Sequence, residues 1–444
     1  MNSRRFLSGL ALIALTLTQA SAKPSTDPRI AAMVRAVSAA DLRAYDNRLV
    51  DFYTRNDFSE DMNSPTRGIF AARDWIKSQF EAAAQKSGGR MTVALDTFLQ
   101  DKTACTPRPV TESSIIATLV GDSPEPTYVM SSHYDDCDGD CIDGRGQAPG
   151  ADDNGSGTSA VLEAAKVMAP QRFHGTIIFA VFDGEELGLW GSDHFARELK
   201  AQGTNVIADL NNDIIGTSNA PAGSADRHTV RVFSEGLTDD ATVSAVNLVG
   251  SENDSPSREI ARFVKSASEQ YVSPMSATLI YRADRFRRGG DQESFTAQGF
   301  PAIRFVEIHE DFRHQHQNVR VVNGVQYGDL PQYNDWTYLA NVTRMNVAAL
   351  AALTLGPDQP AGAEILVTGL TNDSTLRWKP AARAVSYEIV WRETSTPMWQ
   401  HSKNVGSVTQ ATVPVSKDNY ILGVRSVDAS GLVSPAVYPA AVRQ

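Results

Sequence analysis

Histidine and carboxylate side chains recur in short clusters along the first three quarters of this 444-residue sequence. Four clusters read SSHYDD, PGADDNGSG, FDGEELG and NNDIIG, and a fifth, HEDFRHQHQNVRV, supplies three histidines. Zinc is bound in proteins by imidazole and carboxylate groups, and carboxylate-rich sites also suit manganese or cobalt. If the clusters meet in space, their side chains are suited to binding divalent cations and to activating a water molecule.

The elements around the clusters predict how these side chains could meet. TYVMSSH and TIIFAVFD are short, apolar and rich in β-branched residues, which predicts buried strands that end near His133 and Asp183. SGTSAVLEAAKVMA and GLWGSDHFARELKAQG read as helices. This alternation predicts an α/β fold with a mostly parallel central sheet flanked by helices. Because the carboxyl ends of parallel strands share one edge, we expect the clusters to converge there.

The adjacent carboxylates of Asp152 and Asp153 repel each other and need compensation. Without a positive partner, some of the converging carboxyl groups would take up protons. Two divalent cations remove this difficulty, since one carboxylate can bridge them and a shared water becomes a nucleophile near neutral pH. Taken alone, the acidic pair could cap the following helix, and Glu185 and Glu186 could be first-turn acids. The joint occurrence of all five clusters favours a metal site.

The motifs SSHYDD, PGADDNGSG, FDGEELGLWGS, NNDIIG and the late histidine resemble the co-catalytic zinc aminopeptidase family of metallopeptidases. The resemblance covers about residues 100 to 350, and the five patterns occur in the family's order. It implies the family's α/β fold and two divalent metal ions as cofactors, with Zn²⁺ expected. It also implies an exopeptidase that acts on peptide or protein substrates, with the substrate's free α-amine as the anchor.

The resemblance assigns the metal-binding roles position by position. The ligands would be His133, Asp152, Glu186, Asp213 and a late histidine, with Asp152 bridging both metals and Asp213 binding the same metal as His133.

For the late histidine, His316 fits best and His314 is the alternative, because the family's small hydroxylated residue is missing after either one. A segment that often carries Asp-His in the family reads Asp291-Gln292 here, which puts a substrate contact in doubt.

Two catalytic roles also follow from the resemblance. Asp135 would hydrogen-bond the far ring nitrogen of His133 and fix its tautomer. Glu185 would be the general base that deprotonates the attacking water and later protonates the leaving amine.

Three alternative functions stay open. A carboxypeptidase on the same fold would need a basic residue to hold the substrate's carboxylate, and the sequence does not identify one. A glutaminyl cyclase resembles this family but typically uses fewer metal ligands. A non-catalytic binding protein would have lost the base or a ligand, whereas Glu185 and Glu186 are both present.

Residues 1–22, MNSRRFLSGLALIALTLTQASA, have the arginines, apolar run and small-residue end of a secretory signal peptide, with cleavage expected near Ala22. No later stretch is long and apolar enough to span a bilayer. The formal net charge of −11 argues against nucleic acid or an anionic membrane surface as the main partner. We therefore expect an exported protein, periplasmic or fully secreted.

The catalytic domain is predicted to span residues 23–357, up to the Pro/Gly-rich stretch LGPDQPAGAE. Residues 358–444 contain only short alternating runs with turn signals, which predicts a small all-β sandwich. With Trp378, Tyr387 and Tyr420 on its strands, this region resembles a fibronectin type III module. Such a module could contact a polymer, a cell surface or the catalytic domain itself.

The sequence contains three cysteines, and two of them, Cys137 and Cys141, are close together. In an exported protein this spacing favours a disulfide that closes a short loop. The alternative is a pair of soft metal ligands, which the neighbouring carboxylates disfavour.

Overall fold

The computed structural model describes residues 26–60, 63–221, 223–235 and 254–443. The predicted signal peptide, residues 1–22, lies outside the described residues. No helix among those described has the length and apolar character needed to cross a membrane.

A large mixed sheet occupies the centre of the described part of the chain. Its strands are β1 (Met91–Gln100), β2 (Val110–Leu119), β3 (Thr127–His133), β4 (Thr176–Phe182), β5 (Val206–Asn212), β6 (Thr229–Phe233), β7 (Ser276–Ile280) and β8 (Ala302–Glu307). They lie in the order β1-β2-β4-β3-β5-β8-β6-β7. The pairs β4-β3, β3-β5, β5-β8 and β6-β7 are parallel, and the other three are antiparallel. The predicted parallel pairing therefore holds at the centre of the sheet, with antiparallel strands toward its edges.

The central strands are the ones that the apolar runs predicted. Every residue of β3 and β4 is buried, as expected where both faces of a sheet are covered. Their parallel register pairs Thr127 with Thr176 and His133 with Phe182. This register brings the loop that follows β4 beside the end of β3.

Helices cover both faces of the sheet, which confirms the predicted layers. They are α1 (Pro28–Ala36), α2 (Ala39–Val50), α3 (Ile69–Ala84), α4 (Gly157–Met168), α5 (Trp190–Gln202), α6 (Pro256–Tyr271), α7 (Gln292–Ala297) and α8 (Trp336–Leu355). Apolar residues of α1–α4, α6 and α8 form one large core with one face of the sheet. Phe195 of α5 and Phe295 of α7 pack with Ile178 and Phe182 on the opposite face.

Two small sheets follow α8. One contains β11 (Ala361–Leu366), β12 (Ser374–Lys379), β15 (Gln410–Val413) and β17 (Ala440–Val442), and the other contains β13 (Ser386–Glu393), β14 (His401–Gly406) and β16 (Tyr420–Val427). Residues from both sheets, including Trp378 and Tyr387, share one apolar core. The predicted β-sandwich is therefore present, and its likeness to a fibronectin type III module stays a prediction.

The sandwich contacts α6 through buried polar groups. The Glu259 carboxylate accepts hydrogen bonds from Trp399 Nε1 at 3.1 Å, Tyr438 Oη at 3.1 Å and the Ala436 backbone N–H at 2.9 Å. Arg392 of the sandwich forms an ion pair with Asp254, and both side chains are 2% exposed. The two parts of the protein thus share a specific, desolvated interface.

Candidate metal centre

The predicted clusters meet at the carboxyl edge of the central strands. His133 is the last residue of β3, and Glu185 and Glu186 follow β4 by a short loop. Asp213 comes directly after β5. His316 lies in the long segment between β8 and α8, whose two-stranded hairpin is formed by β9 (Arg320–Val322) and β10 (Val325–Tyr327). The expected convergence is what the structure shows.

The first cluster consists of His133, Glu185 and Asp213. One donor atom of each lies within 4.8 Å of the others. His133 Nε2 is 3.6 Å from Asp213 Oδ1 and 3.9 Å from Glu185 Oε2. The imidazole is 1% exposed, so this cluster is desolvated.

The second cluster consists of Asp153, Glu186 and His316, which also lie within 4.8 Å of one another. His316 Nε2 is 3.1 Å from Asp153 Oδ2 and 3.0 Å from Glu186 Oε2. The side chain of His316 is 40% exposed, so the centre opens to solvent on this side.

Asp153, a member of the second cluster, also reaches His133 of the first cluster. Its Oδ1 lies 3.4 Å from His133 Nε2, and its Oδ2 lies 3.1 Å from His316 Nε2. A carboxylate whose two oxygens face two different sets of donors has the geometry of a bridging ligand between two cations.

The structure contradicts the choice of Asp152 as the bridging residue. The Asp152 carboxylate points away from the histidines, and its Oδ1 accepts a hydrogen bond from the Gly216 backbone N–H at 2.7 Å. The two aspartates lie in an irregular turn, Ala151–Ser156, in which Asp153 has non-helical backbone angles. Adjacent side chains therefore point to different sides, and Asp153 takes the place predicted for Asp152.

Asp135 lies against the ring of His133, at the position that the family resemblance assigned to it. Its Oδ1 and its backbone oxygen lie 3.3 Å and 3.2 Å from His133 Nδ1. Asp135 Oδ2 accepts a hydrogen bond from the Glu186 backbone N–H at 2.9 Å. One carboxylate thus orients the imidazole and also supports the loop that carries Glu185 and Glu186.

Of the two candidate histidines, the structure places His316 in the centre. His314 instead stacks on Tyr333, with 3.6 Å between ring centroids, and its Nδ1 lies 3.9 Å from Asp311 Oδ2. The cysteine prediction is also confirmed, since Cys137 and Cys141 form a disulfide and are not free thiolates.

The electrostatic field of the centre favours positive charge. The carboxylate of Glu186, with that of Asp153, raises the pKa of His316 to about 12. Burial alone would lower the pKa of His133, but the carboxylates of Glu185 and Asp213 outweigh it and raise that pKa well above its usual value. Burial also raises the pKa of Glu185 well above the ordinary range, because its charged form loses water.

Divalent cations fit this set of donors. Among the described residues, His133 Nε2, Glu186 Oε1 and Asp213 Oδ1 are buried atoms with no hydrogen-bond partner. Of these, His133 Nε2 and Asp213 Oδ1 face each other in the first cluster. Buried polar atoms without a partner are costly, and metal coordination removes that cost. Mixed imidazole and carboxylate donors suit zinc.

Two supporting residues were missed by reading the sequence. Arg304 on β8 is 1% exposed, and its Nη2 lies 2.8 Å from Asp213 Oδ2. Burial alone would raise the pKa of Asp213, but Arg304 and His133 lower it. Asp329 accepts hydrogen bonds from the backbone N–H groups of Asp152 and Asp153, at 2.9 Å and 2.7 Å. Arg304 is a single polar residue within an apolar strand, and Asp329 is a single aspartate after a hairpin. Neither pattern indicates in the sequence that the residue supports a metal site.

Comparison with known proteins identifies the family. A sequence profile described as Peptidase family M28 matches residues 114–345, a range that includes both clusters. A probable zinc metalloprotease of Leptosphaeria maculans is 43% identical over 423 residues, which cover 94% of this chain and 98% of the relative. The chain belongs to peptidase family M28.

Solved structures share the fold at low sequence identity. The LapA aminopeptidase of Legionella pneumophila is 18% identical with a TM-score of 0.51, and the match covers 79% of this chain and 80% of that one. A glutaminyl cyclase of Macrostomum lignano is 16% identical with a TM-score of 0.53, covering 75% and 94%. These likenesses establish the α/β architecture, which the aminopeptidase and the glutaminyl cyclase share.

Proposed function

We propose that this chain is an exported zinc-dependent aminopeptidase, which removes N-terminal residues from peptides or proteins with a water activated by two metal ions. The observation that carries the proposal is the position of Asp153 between two clusters that each contain one histidine. The donor chemistry suits zinc, and a relative with 43% identity is named a probable zinc metalloprotease.

The proposed ligands are His133 and Asp213 for one ion, Glu186 and His316 for the other, and Asp153 for both. When bound, the two cations would polarise the substrate carbonyl and lower the pKa of a water molecule between them. Asp135 holds His133 Nδ1, which leaves Nε2 free for coordination.

Glu185 is the proposed general base. Its Oε2 lies 3.9 Å from His133 Nε2, and its side chain is 12% exposed. Glu185 is therefore mostly buried and lies next to the first cluster. Burial keeps its proton affinity high, which suits a group that takes a proton from water and returns it to the leaving amine.

A glutaminyl cyclase is the second candidate, because one shares the fold with a TM-score of 0.53. We would incubate the mature protein with aminoacyl-anilides, with an N-terminal glutaminyl peptide, and with an N-acylated peptide that has a free carboxyl end. We expect release of aniline and of N-terminal residues. If a pyroglutamyl product alone forms, the result would favour a glutaminyl cyclase. Cleavage of the N-acylated peptide alone would favour a carboxypeptidase. If the metal-loaded protein turns over none of these substrates, the result would favour a binding protein.

Export is supported by the N-terminal sequence and by the Cys137–Cys141 disulfide, which suits an oxidising compartment. N-terminal sequencing of the protein recovered outside the cytoplasm should begin at Lys23. A mature protein that begins at Met1 would contradict export by cleavage.

A further inference from the structure

A third group of acidic side chains meets away from both histidines. Asp57 lies in the loop after α2, Glu112 on β2, and Asp183 directly after β4. One carboxylate oxygen of each lies within 4.8 Å of the other two. Because no histidine belongs to this triad, its side-chain donors are all oxygen atoms.

The triad is buried, and among the described residues most of its carboxylate oxygens have no hydrogen-bond partner outside the triad. Glu112 is 0% exposed, and among the described residues its carboxylate oxygens have no hydrogen-bond partner outside the carboxyl groups of the triad. Asp183 Oδ2 accepts a hydrogen bond from the Ser113 backbone N–H at 2.7 Å. Within the described ranges, Asp183 Oδ1 and Asp57 Oδ1 have no hydrogen-bond partner outside the triad. A Cβ on Gly184 would lie 2.7 Å from Glu112 Oε2, so the glycine allows the buried carboxylate to approach the loop.

No protein cation balances this charge within the described part of the chain, where the charged neighbours that act on Asp57, Glu112 and Asp183 are other carboxylates. Buried carboxylates that face one another must either share protons or bind a cation. Burial and the neighbouring carboxylates raise the pKa of Glu112 to about 10 and that of Asp183 to about 7, which shows how strongly this environment favours added positive charge.

We propose that Asp57, Glu112 and Asp183 bind a hard divalent cation of the Ca²⁺ type, at a site separate from the histidine-containing centre. Calcium takes oxygen ligands at about 2.3–2.6 Å, so oxygens on opposite sides of the ion are up to about 5 Å apart. The spacing in the triad fits this limit. The set offers neither nitrogen nor sulfur, the donors that zinc commonly uses.

The position of the triad indicates what the cation does. Asp183 begins the loop that carries Glu185 and Glu186, whereas Asp57 lies in the loop that joins helices α2 and α3 of the N-terminal helical layer. A cation held by all three carboxylates ties this loop to β2 and to the helical layer. Its loss is therefore expected to lower stability, without a direct role for the ion in bond cleavage.

The test uses the full mature chain, saturated with zinc and freed of calcium. Equilibrium dialysis with ⁴⁵Ca²⁺ should detect one bound ion per chain, and saturating calcium should raise the thermal midpoint by about 3 °C or more. Glu112→Gln should abolish both effects. Glu81→Gln makes the same chemical change on the exposed side of α3, where the side chain is 50% exposed, and should behave as the wild type.

The proposal would be overturned if the wild-type protein binds no calcium and its thermal midpoint does not depend on calcium. In that case protons, and not a cation, neutralise the triad. Calcium binding that persists in Glu112→Gln would also overturn it. If Glu112→Gln does not fold, Asp57→Asn removes one charge from the loop side of the same site and should abolish the same binding. Because the readouts are calcium binding and stability, failure of the peptidase assignment would leave this result interpretable.

Discussion

At the scale of single residues, the centre depends on which of two adjacent aspartates faces the histidines. Asp153 offers one oxygen to each side, at 3.4 Å and 3.1 Å from the two imidazoles. Asp152 is instead held by the Gly216 N–H on the opposite side of the turn. Asp153 therefore lies in the centre, whereas Asp152 supports the loop that carries it.

The pair allows a matched test of the bridging role. Asp153→Asn should lower the number of tightly bound zinc ions and reduce kcat/KM by roughly 10²-fold or more, because the bridge loses its charge. Asp152→Asn keeps an oxygen that can accept from Gly216 and should retain metal and most activity. The reverse pattern, with metal lost only in Asp152→Asn, would restore Asp152 as the bridge.

Removal of the base should separate chemistry from binding. Glu185→Gln should lower kcat by about 10²–10⁴-fold, with metal content and thermal midpoint preserved, because general acid–base catalysis contributes on that scale. Glu198→Gln, on the exposed surface of α5, is the matched control and should be unaffected. Near-normal turnover by Glu185→Gln would show that another group accepts the proton.

The sequence predicted the kinds of donors but could not choose between identical neighbours. Four of the donors lie at or just after the ends of apolar strands: His133, Glu185, Glu186 and Asp213. In an α/β fold the carboxyl ends of parallel strands lie at one edge of the sheet, so the positions of these residues could be predicted. Asp152 and Asp153 lie in a turn, where backbone angles that depend on tertiary contacts decide which side chain points inward. The family resemblance favoured His316, which lies in the second cluster, whereas His314 stacks on Tyr333.

At the scale of elements, the segment between β8 and α8 supports the centre from two places. It supplies His316 directly, and the Asp329 carboxylate after β10 accepts the N–H groups of Asp152 and Asp153. Asp329 is 5% exposed, so these hydrogen bonds are shielded from water. The segment therefore holds one proposed ligand and positions another.

Asp329 is accordingly a positioning residue with a testable effect on metal affinity. Asp329→Asn should weaken zinc binding by about 10–100-fold, the usual scale for groups that orient metal ligands, with much of kcat regained at saturating zinc. Asp311→Asn lies in the same segment but pairs with Arg313, so it should leave zinc affinity unchanged. Equal zinc affinities for Asp329→Asn and the wild type would exclude the positioning role.

Most elements around the centre and the parallel pairing of the central strands could be predicted, whereas the antiparallel pairs could not. The strands ending at His133 and Phe182 and the helices after them follow from apolar periodicity within a short window. The antiparallel partners β1-β2, β2-β4 and β6-β8 depend on contacts between distant residues, which local periodicity does not encode. The β9–β10 hairpin was also missed, because strands of three residues are too short to show a periodic pattern.

At the scale of the whole molecule, the C-terminal sandwich is joined to the catalytic part by a buried polar interface. Glu259 on α6 accepts hydrogen bonds from three donors of the sandwich, and its own side chain is 5% exposed. Burial raises the pKa of Glu259, although these donors and Arg262 oppose the rise. Such an interface couples the stability of the two parts.

Removal of Glu259 should expose this coupling. Glu259→Ala leaves three donors at the interface without their acceptor and should lower the free energy of unfolding by about 2–4 kcal/mol. Ser266→Ala, on the exposed side of the same helix, should have little effect. Chemical denaturation monitored by tryptophan fluorescence would measure both variants, and a Glu259→Ala curve that overlays the wild type would contradict the coupling.

The zinc content of the purified mature protein is the measurement to make first, with aminoacyl-anilide turnover recorded on the same samples during stepwise chelation. We predict two zinc ions per chain and activity that falls as they are removed and returns when zinc is restored. Full activity with one zinc ion or none would contradict the two-metal centre bridged by Asp153.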